Sequence, residues 1–126
     1  MSEMKYVLII EDEEDIREIL NDYLEDFIEG YELHFATNGT EAAIKCHTVS
    51  SPYKLIISDQ HMPYMDGISL LKYLRNEDSR HNETNFVFLS AHITNIQSIL
   101  EENNNVHFLD KPISVEQFQK KIRDLL

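Results

Sequence analysis

Cysteine is nearly absent from this chain of 126 residues, because Cys46 is the only one. No internal disulfide can form, so a reducing cytoplasm is the expected compartment. The chain also lacks an apolar segment long enough to cross a membrane, and residues 1–5 show no signal-peptide pattern. These absences argue against a disulfide-stapled secreted fold and against an integral membrane protein. The length is that of one domain, expected to span residues 1–126.

Positive charge is also scarce, with 11 Lys and Arg against 23 Asp and Glu and a net charge of −12. An acidic surplus of this size repels nucleic acid at long range, so this domain is not expected to bind it directly. The densest acidic run covers residues 11–15. Such runs usually form solvated helix faces, so a functional role for its first members needs separate support.

Five short apolar segments alternate with segments of helical periodicity, which predicts a parallel sheet with helices on both faces. The second strand mixes polar and apolar residues and is therefore expected at the edge of the sheet. Ser114 is predicted to cap the last helix. The predicted strands are 6–10, 31–36, 55–58, 86–89 and 106–109, and the helices before the last are 13–29, 40–48 (capped by Thr40), 67–76 and 93–100.

The stretch 55–67 organises the chain. Its apolar run stops at Asp59, and Pro63 and Gly67 prevent simple continuation as strand or helix. Asp59 is thus predicted at the carboxyl end of a strand, where ligands bind in open α/β sheets. A purely structural role for Asp59, as the cap of the next helix, is less favoured because that helix begins only near Gly67.

Other strand ends carry polar residues as well: Glu11 and Asp12 after the first strand, Ser90 after the fourth and Lys111 after the fifth. Parallel strands place all of these ends at one edge, so the three carboxylates should meet and raise one another's pKa. Such a cluster needs a cation, and an oxygen-only donor set suits Mg²⁺. A metal, a lysine and a hydroxyl around Asp59 can hold a phosphoryl group, with the carboxylate as nucleophile.

With these residues in this order, the chain resembles, over essentially its whole length, the receiver domain of bacterial two-component response regulators of the chemotaxis type. The resemblance implies a flavodoxin-like, doubly wound (βα)5 fold with a five-stranded parallel sheet of order 2-1-3-4-5. It also implies a cytoplasmic signalling phosphoacceptor rather than a turnover enzyme. The matching motifs are Glu11-Asp12, Asp59 with Met62-Pro63 and Asp66-Gly67, Ser90-Ala91, and Lys111-Pro112.

The resemblance also implies the role of each site residue. Asp59 accepts a phosphoryl group from a histidine kinase or a histidine phosphotransfer protein, and Ser90 and Lys111 bind the phosphoryl oxygens. Mg²⁺ is held by Glu11, Asp12, Asp59 and the backbone carbonyl of His61.

Output is implied to depend on Ser90 and Phe108, an aromatic residue that changes rotamer on phosphorylation. The face of the fourth helix, fifth strand and fifth helix then changes shape toward a downstream effector, and a phosphorylation-dependent dimer is possible in this family. The side chains of His61 and His92 flank the phosphoryl group and are expected to tune its hydrolysis. The Lys111–Pro112 peptide is implied to be cis.

Two rival readings remain. An aspartyl-phosphate phosphohydrolase of the haloacid-dehalogenase type would need an Asp two residues after Asp59, where this chain has His61. A receiver-like interaction domain that is never phosphorylated would usually lack one of the acidic pair, the acceptor Asp or the Lys, and all are present.

Overall fold

The computed structural model describes residues 4–25, 28–76, 78–90, 98–99 and 104–126. The predicted helix at 93–100 falls almost wholly outside these ranges. Within them, no helix is both long and apolar enough to span a bilayer. The strands are β1 (Lys5–Ile10), β2 (Tyr31–Ala36), β3 (Leu55–Asp59), β4 (Asn85–Ser90) and β5 (Val106–Asp110), and the helices are α1 (Glu14–Glu25), α2 (Gly39–Thr48), α3 (Gly67–Leu74) and α4 (Val115–Leu125).

All strand pairs in the sheet are parallel, and the strand order is β2-β1-β3-β4-β5. The predicted flavodoxin-like order is therefore confirmed, as is the position of β2 at an edge. In this register Asp59 lies opposite Leu89, and Ser90 lies opposite Asp110. The residues that end β1, β3, β4 and β5 thus lie together at the carboxyl ends of the strands.

Alternation along the strands divides the core between the two faces of the sheet. In β1, Leu8 and Ile10 belong to the cluster under α2 and α3, whereas Val7 and Ile9 belong to the cluster under α1 and α4. All four are fully buried. Strands covered on both faces need apolar residues at every position, which explains why the sequence shows continuous apolar runs rather than alternation.

The first helix is shorter than its pattern predicts. Its described residues run from Glu14 to Glu25, and Ile28 and Glu29, predicted as its last residues, are not helical, although Ile28 N–H still donates to the carbonyl of Leu24 (3.1 Å). Gly30 has φ +81° immediately before β2. The glycine therefore supplies the left-handed conformation that the chain needs directly before β2.

Helix α2 is capped by Asn38, not by Thr40 as predicted. The Asn38 Oδ1 accepts from the backbone N–H of Glu41 at 2.8 Å, and the helix begins at Gly39. The Asn-Gly pair suggests a turn by itself, but Asn is as good an N-cap as Thr. At α3 the predicted end at residue 76 is also too late, because the helix stops at Leu74.

The polar segment 78–84 contains a buried histidine. His81 is 1% exposed, and its Nε2 accepts the backbone N–H of Tyr53 (3.0 Å). Burial, followed by the charges of Arg80, His47 and Arg75, lowers its pKa from 6.5 to about 4. The folded domain therefore holds this ring in its neutral form.

Because the folded pKa of His81 is depressed, its contribution to stability is complete above about pH 6.5 and is lost as the pH falls toward 4. The shift corresponds to a free energy on the order of 3 kcal/mol. His81→Gln offers an acceptor to Tyr53 N–H but cannot take a proton. We expect the variant to be less stable than wild type at pH 7.5 and the gap to narrow by pH 4.5. Urea unfolding at several pH values measures this, and parallel stability curves for the two proteins would contradict it.

Candidate functional site

Asp59 is the last residue of β3 and is only 8% exposed. Its Oδ1 accepts two hydrogen bonds, from the backbone N–H of Gln60 (2.8 Å) and from the Lys111 Nζ (3.1 Å). Lys111 follows β5, on the other side of β4 from Asp59. The parallel sheet thus brings together an acid and a base that are 52 positions apart in the chain.

Glu11 and Asp12 reach the same point from the end of β1. One carboxylate oxygen from each of Glu11, Asp12 and Asp59 lies within 4.8 Å of the other two. Glu11 is 2% exposed, whereas Asp12 is exposed to solvent. The convergence of these three carboxylates, expected from their places at strand ends, is present in the structure.

Glu11 is the residue of this cluster whose pKa is raised. Its pKa is raised from 4.5 to about 7, first by burial, then by a hydrogen bond with Asp12 and by the charge of Asp59, while Lys111 acts in the opposite direction. Among the described residues nothing donates a hydrogen bond to its buried Oε2. A set of three carboxylates with one buried oxygen unpartnered is the kind of donor set that a hard cation such as Mg²⁺ takes.

The loop from Gln60 to Asp66 joins Asp59 to α3 and is tied to the start of that helix. The Gln60 carbonyl accepts from Gly67 N–H (3.2 Å), and its Oε1 accepts from Ile68 N–H (2.9 Å). Asp66 caps the helix by accepting from Ser69 N–H (2.8 Å). The loop is therefore held in shape beside the acidic cluster.

Sequence reasoning did not single out Gln60, although its N–H binds Asp59 and its side chain binds the N-terminus of α3. A glutamine in a loop carries no sequence signal of its own, and only its place next to Asp59 could have drawn attention to it. His61, in contrast, lies in this loop as expected, with its side chain exposed.

Phe108 occupies the middle of β5 and is half-buried. Its ring stacks on that of Phe88 with centroids 5.4 Å apart and an interplanar angle of 18°. The fully buried Phe88 lies in turn beside Gly67, at the start of α3. Phe108 thus packs on Phe88, and Phe88 packs beside Gly67, which directly follows the loop after Asp59.

The remaining predicted site residues fall at the end of β4. Ser90 is its last residue and aligns with Asp110, but its side chain lies outside what the structure describes, as do Ala91 and His92. After β5, the Lys111–Pro112 peptide is cis, as the resemblance implies.

Two sequence comparisons match this chain to known proteins, one through a family model and one through individual relatives. The family model for the response regulator receiver domain matches residues 7–123. The transcriptional regulatory protein SrrA of Staphylococcus aureus is 32% identical over 128 aligned residues, which take in 95% of this chain and 47% of SrrA. The chain spans less than half the length of the first relatives that it matches.

Two solved structures extend the comparison to the fold. The chemotaxis response regulator CheY4 of Vibrio cholerae superposes with a TM-score of 0.82 at 28% identity, over 98% of this chain and all of that one. The response regulator TrrA of Thermotoga maritima, solved with Mg²⁺ and BeF, gives 0.78 at 28% identity, with coverage of 98% and 100%. Receiver domains act in two-component systems as signalling phosphoacceptors and are not ordinary enzymes. With its sheet order, its acidic edge and this match over most of its length, the chain belongs to the response regulator receiver family.

Proposed function

We propose that this domain accepts a phosphoryl group on Asp59 from the phosphohistidine of a histidine kinase or phosphotransfer protein. The observation that supports it most is the Asp59 carboxylate itself, which is nearly buried, bonded to Lys111 and close to two further carboxylates. A structural ion pair would not need the other two acids, whose charges oppose the burial of a third. A nucleophile that must meet a negatively charged phosphoryl group needs both a cation site and a lysine.

In the proposed reaction, an Asp59 carboxylate oxygen attacks the phosphorus and forms a new P–O bond. The bond from phosphorus to the donor histidine nitrogen breaks, and its electron pair leaves with the imidazole, which takes up a proton. Both hydrogen bonds that the described residues donate to this carboxylate are accepted by Oδ1. We therefore assign the attack to Oδ2.

Glu11, Asp12, Asp59 and the backbone carbonyl of His61 are the proposed Mg²⁺ ligands. When bound, Mg²⁺ supplies positive charge that neutralises the phosphoryl oxygens. Lys111 is tied to Asp59 Oδ1 at 3.1 Å and is about one-third exposed, so its ammonium group can turn to an incoming phosphoryl oxygen with little movement. Ser90 is proposed to donate its hydroxyl to another phosphoryl oxygen.

The signal is proposed to leave through Ser90 and Phe108. A Ser90 hydroxyl drawn toward the phosphoryl group vacates space that the Phe108 ring can fill, and the face formed by the 93–100 segment, β5 and α4 then changes toward an effector or a second copy of the domain. Phe108 has no hydroxyl, so an inward rotamer leaves no polar group unpaired. His61 and His92 are proposed to tune hydrolysis, and the cytoplasm is the proposed location.

Labelling with a small-molecule phosphodonor and Mg²⁺ separates this proposal from its two rivals. We expect wild type to gain one phosphoryl group per chain and to hold it after the donor is removed, as followed by intact mass over time. A label that turns over rapidly, with continuous release of phosphate, would favour the phosphohydrolase reading. A domain that never takes the label would favour the interaction-domain reading.

A further inference from the structure

Gly39, the first residue of α2, touches the loop that follows Asp59. Its N–H donates to the carbonyl of Met65 at 3.2 Å. A Cβ placed on Gly39 would lie 2.3 Å from that carbonyl oxygen and 2.7 Å from the Cβ of Met65. Cβ atoms essentially never make non-bonded contacts this short, and the oxygen belongs to the backbone. Only glycine therefore allows α2 and the loop to approach each other as they do.

The loop adopts a strained turn directly before this contact. Tyr64 has φ +71°, a region that non-glycine residues rarely occupy, and Met65 N–H donates back to the Pro63 carbonyl at 2.9 Å. A three-residue turn with positive φ at its centre is rare and costly. The Tyr64 side chain is 89% exposed, so its burial does not compensate for the strain. Two contacts of the next residue, Met65, are placed to do so: the hydrogen bond from Gly39 and the packing of its half-buried side chain against the core.

This contact completes a two-ended attachment of the loop. At one end Gln60 binds the first residues of α3, and at the other Met65 binds the first N–H of α2, a group with no partner inside its own helix. His61, whose backbone carbonyl is a proposed metal ligand, lies between the two ends. The contacts at the two helix starts therefore restrict the loop segment that carries this carbonyl.

We propose that Gly39 is a positioning residue for the metal and phosphoacceptor site, acting through the strained turn at Tyr64. The inference rests on the proposed function, because it assigns to Gly39 a role in shaping the Mg²⁺ site that Asp59 uses. Outer contacts that orient metal ligands commonly contribute about 10- to 100-fold in metal affinity. If the Gly39–Met65 contact favours the loop conformation that binds metal, bound Mg²⁺ must stabilise this contact by the same factor.

The first experiment compares Gly39→Ala with Gly30→Ala by calorimetric titration with Mg²⁺. Gly30 has φ +81° and a free space around its Cβ position, so its replacement is expected to lower the melting temperature by roughly 5 °C without touching the loop. We expect Gly30→Ala to keep wild-type Mg²⁺ affinity and Gly39→Ala to lose at least about tenfold. Equal affinities of wild type and Gly39→Ala would overturn the inference and leave the proposed function standing.

The second experiment needs no variant, and therefore also decides the matter if Gly39→Ala does not fold. Amide hydrogen exchange of wild type is measured with and without saturating Mg²⁺. We expect the Gly39 amide to be protected and to become several-fold more protected with Mg²⁺, more so than the Glu41 amide, which is bonded to Asn38 in the same helix start. Gly39 protection that Mg²⁺ does not change would overturn the inference. A wild type that binds no Mg²⁺ at all would overturn the proposed function, and the inference with it.

Discussion

Asp12→Ala is expected to lower the affinity for Mg²⁺ by about 100-fold or more, and to prevent phosphorylation, while the domain stays folded. Asp12 is one of three carboxylates that converge within 4.8 Å, and Mg²⁺ takes few protein ligands, so each one matters. Its side chain is exposed, and its removal also relieves the raised pKa of Glu11, to which it is hydrogen-bonded. The folded state should therefore lose little.

The matched control is Asp15→Ala, which removes the same charge from the same acidic run. Asp15 is exposed in the first turn of α1 and is not part of the carboxylate cluster. Titration calorimetry of both variants should show Mg²⁺ binding close to that of wild type in Asp15→Ala only. Comparable losses in the two variants would mean that general surface charge, rather than a ligand set, attracts the cation.

Arg75→Met is expected to destabilise the domain by about 3 kcal/mol, since hydrogen bonds from a charged donor are worth about 1.5–3 kcal/mol each and some of the acceptors can turn to water. Arg75 is the C-cap of α3, and its guanidinium donates to three backbone carbonyls at short distance: those of His81 (2.8 Å), Thr84 (2.6 Å) and Asn104 (2.9 Å). It thereby ties the end of α3 to the approaches of both β4 and β5. Chemical denaturation measures the loss.

Arg75→Lys tests whether the planar fork or only the charge is needed. A lysine has the same charge but donates from one nitrogen, so it cannot span the separate positions from which Nη1 and Nη2 reach their carbonyls. We expect this variant to be less stable than wild type by at least about half the loss in Arg75→Met. If Arg75→Lys matched wild type, or if Arg75→Met lost less than about 1 kcal/mol, the carbonyl bonds would not be what stabilises this end of the sheet.

Strands and their ends could be predicted from the sequence because burial leaves a direct trace there. The run before Asp59 must be apolar to lie between two helical layers, and the first charged residue after it marks the edge of the sheet. The same logic places Glu11, and it places Lys111 next to Asp110 just after the fifth run, so the acidic cluster and its lysine followed from their positions at strand ends. Local patterns of this kind do not depend on where distant residues lie.

The contacts between distant segments could not be predicted in this way. Thr40 is a reasonable cap until the structure shows Asn38 in that place, and a glycine after Asn looks like an ordinary turn until Met65 is found against it. His81 and Arg75 lie in or beside a polar stretch typical of a surface loop. Their burial depends on Tyr53 and on carbonyls that follow in the chain, and no local periodicity reports such partners.

The most direct test of the account is the intact mass of wild type and Asp59→Asn after treatment with a phosphodonor and Mg²⁺. Asparagine keeps an oxygen to accept from Gln60 N–H and Lys111, and it removes one charge from a repulsive cluster, so the variant should fold and be at least as stable as wild type. We predict that wild type gains the mass of one phosphoryl group and Asp59→Asn gains none. A labelled Asp59→Asn, or a wild type that stays unlabelled with Mg²⁺ present, would contradict the assignment of Asp59 as phosphoacceptor.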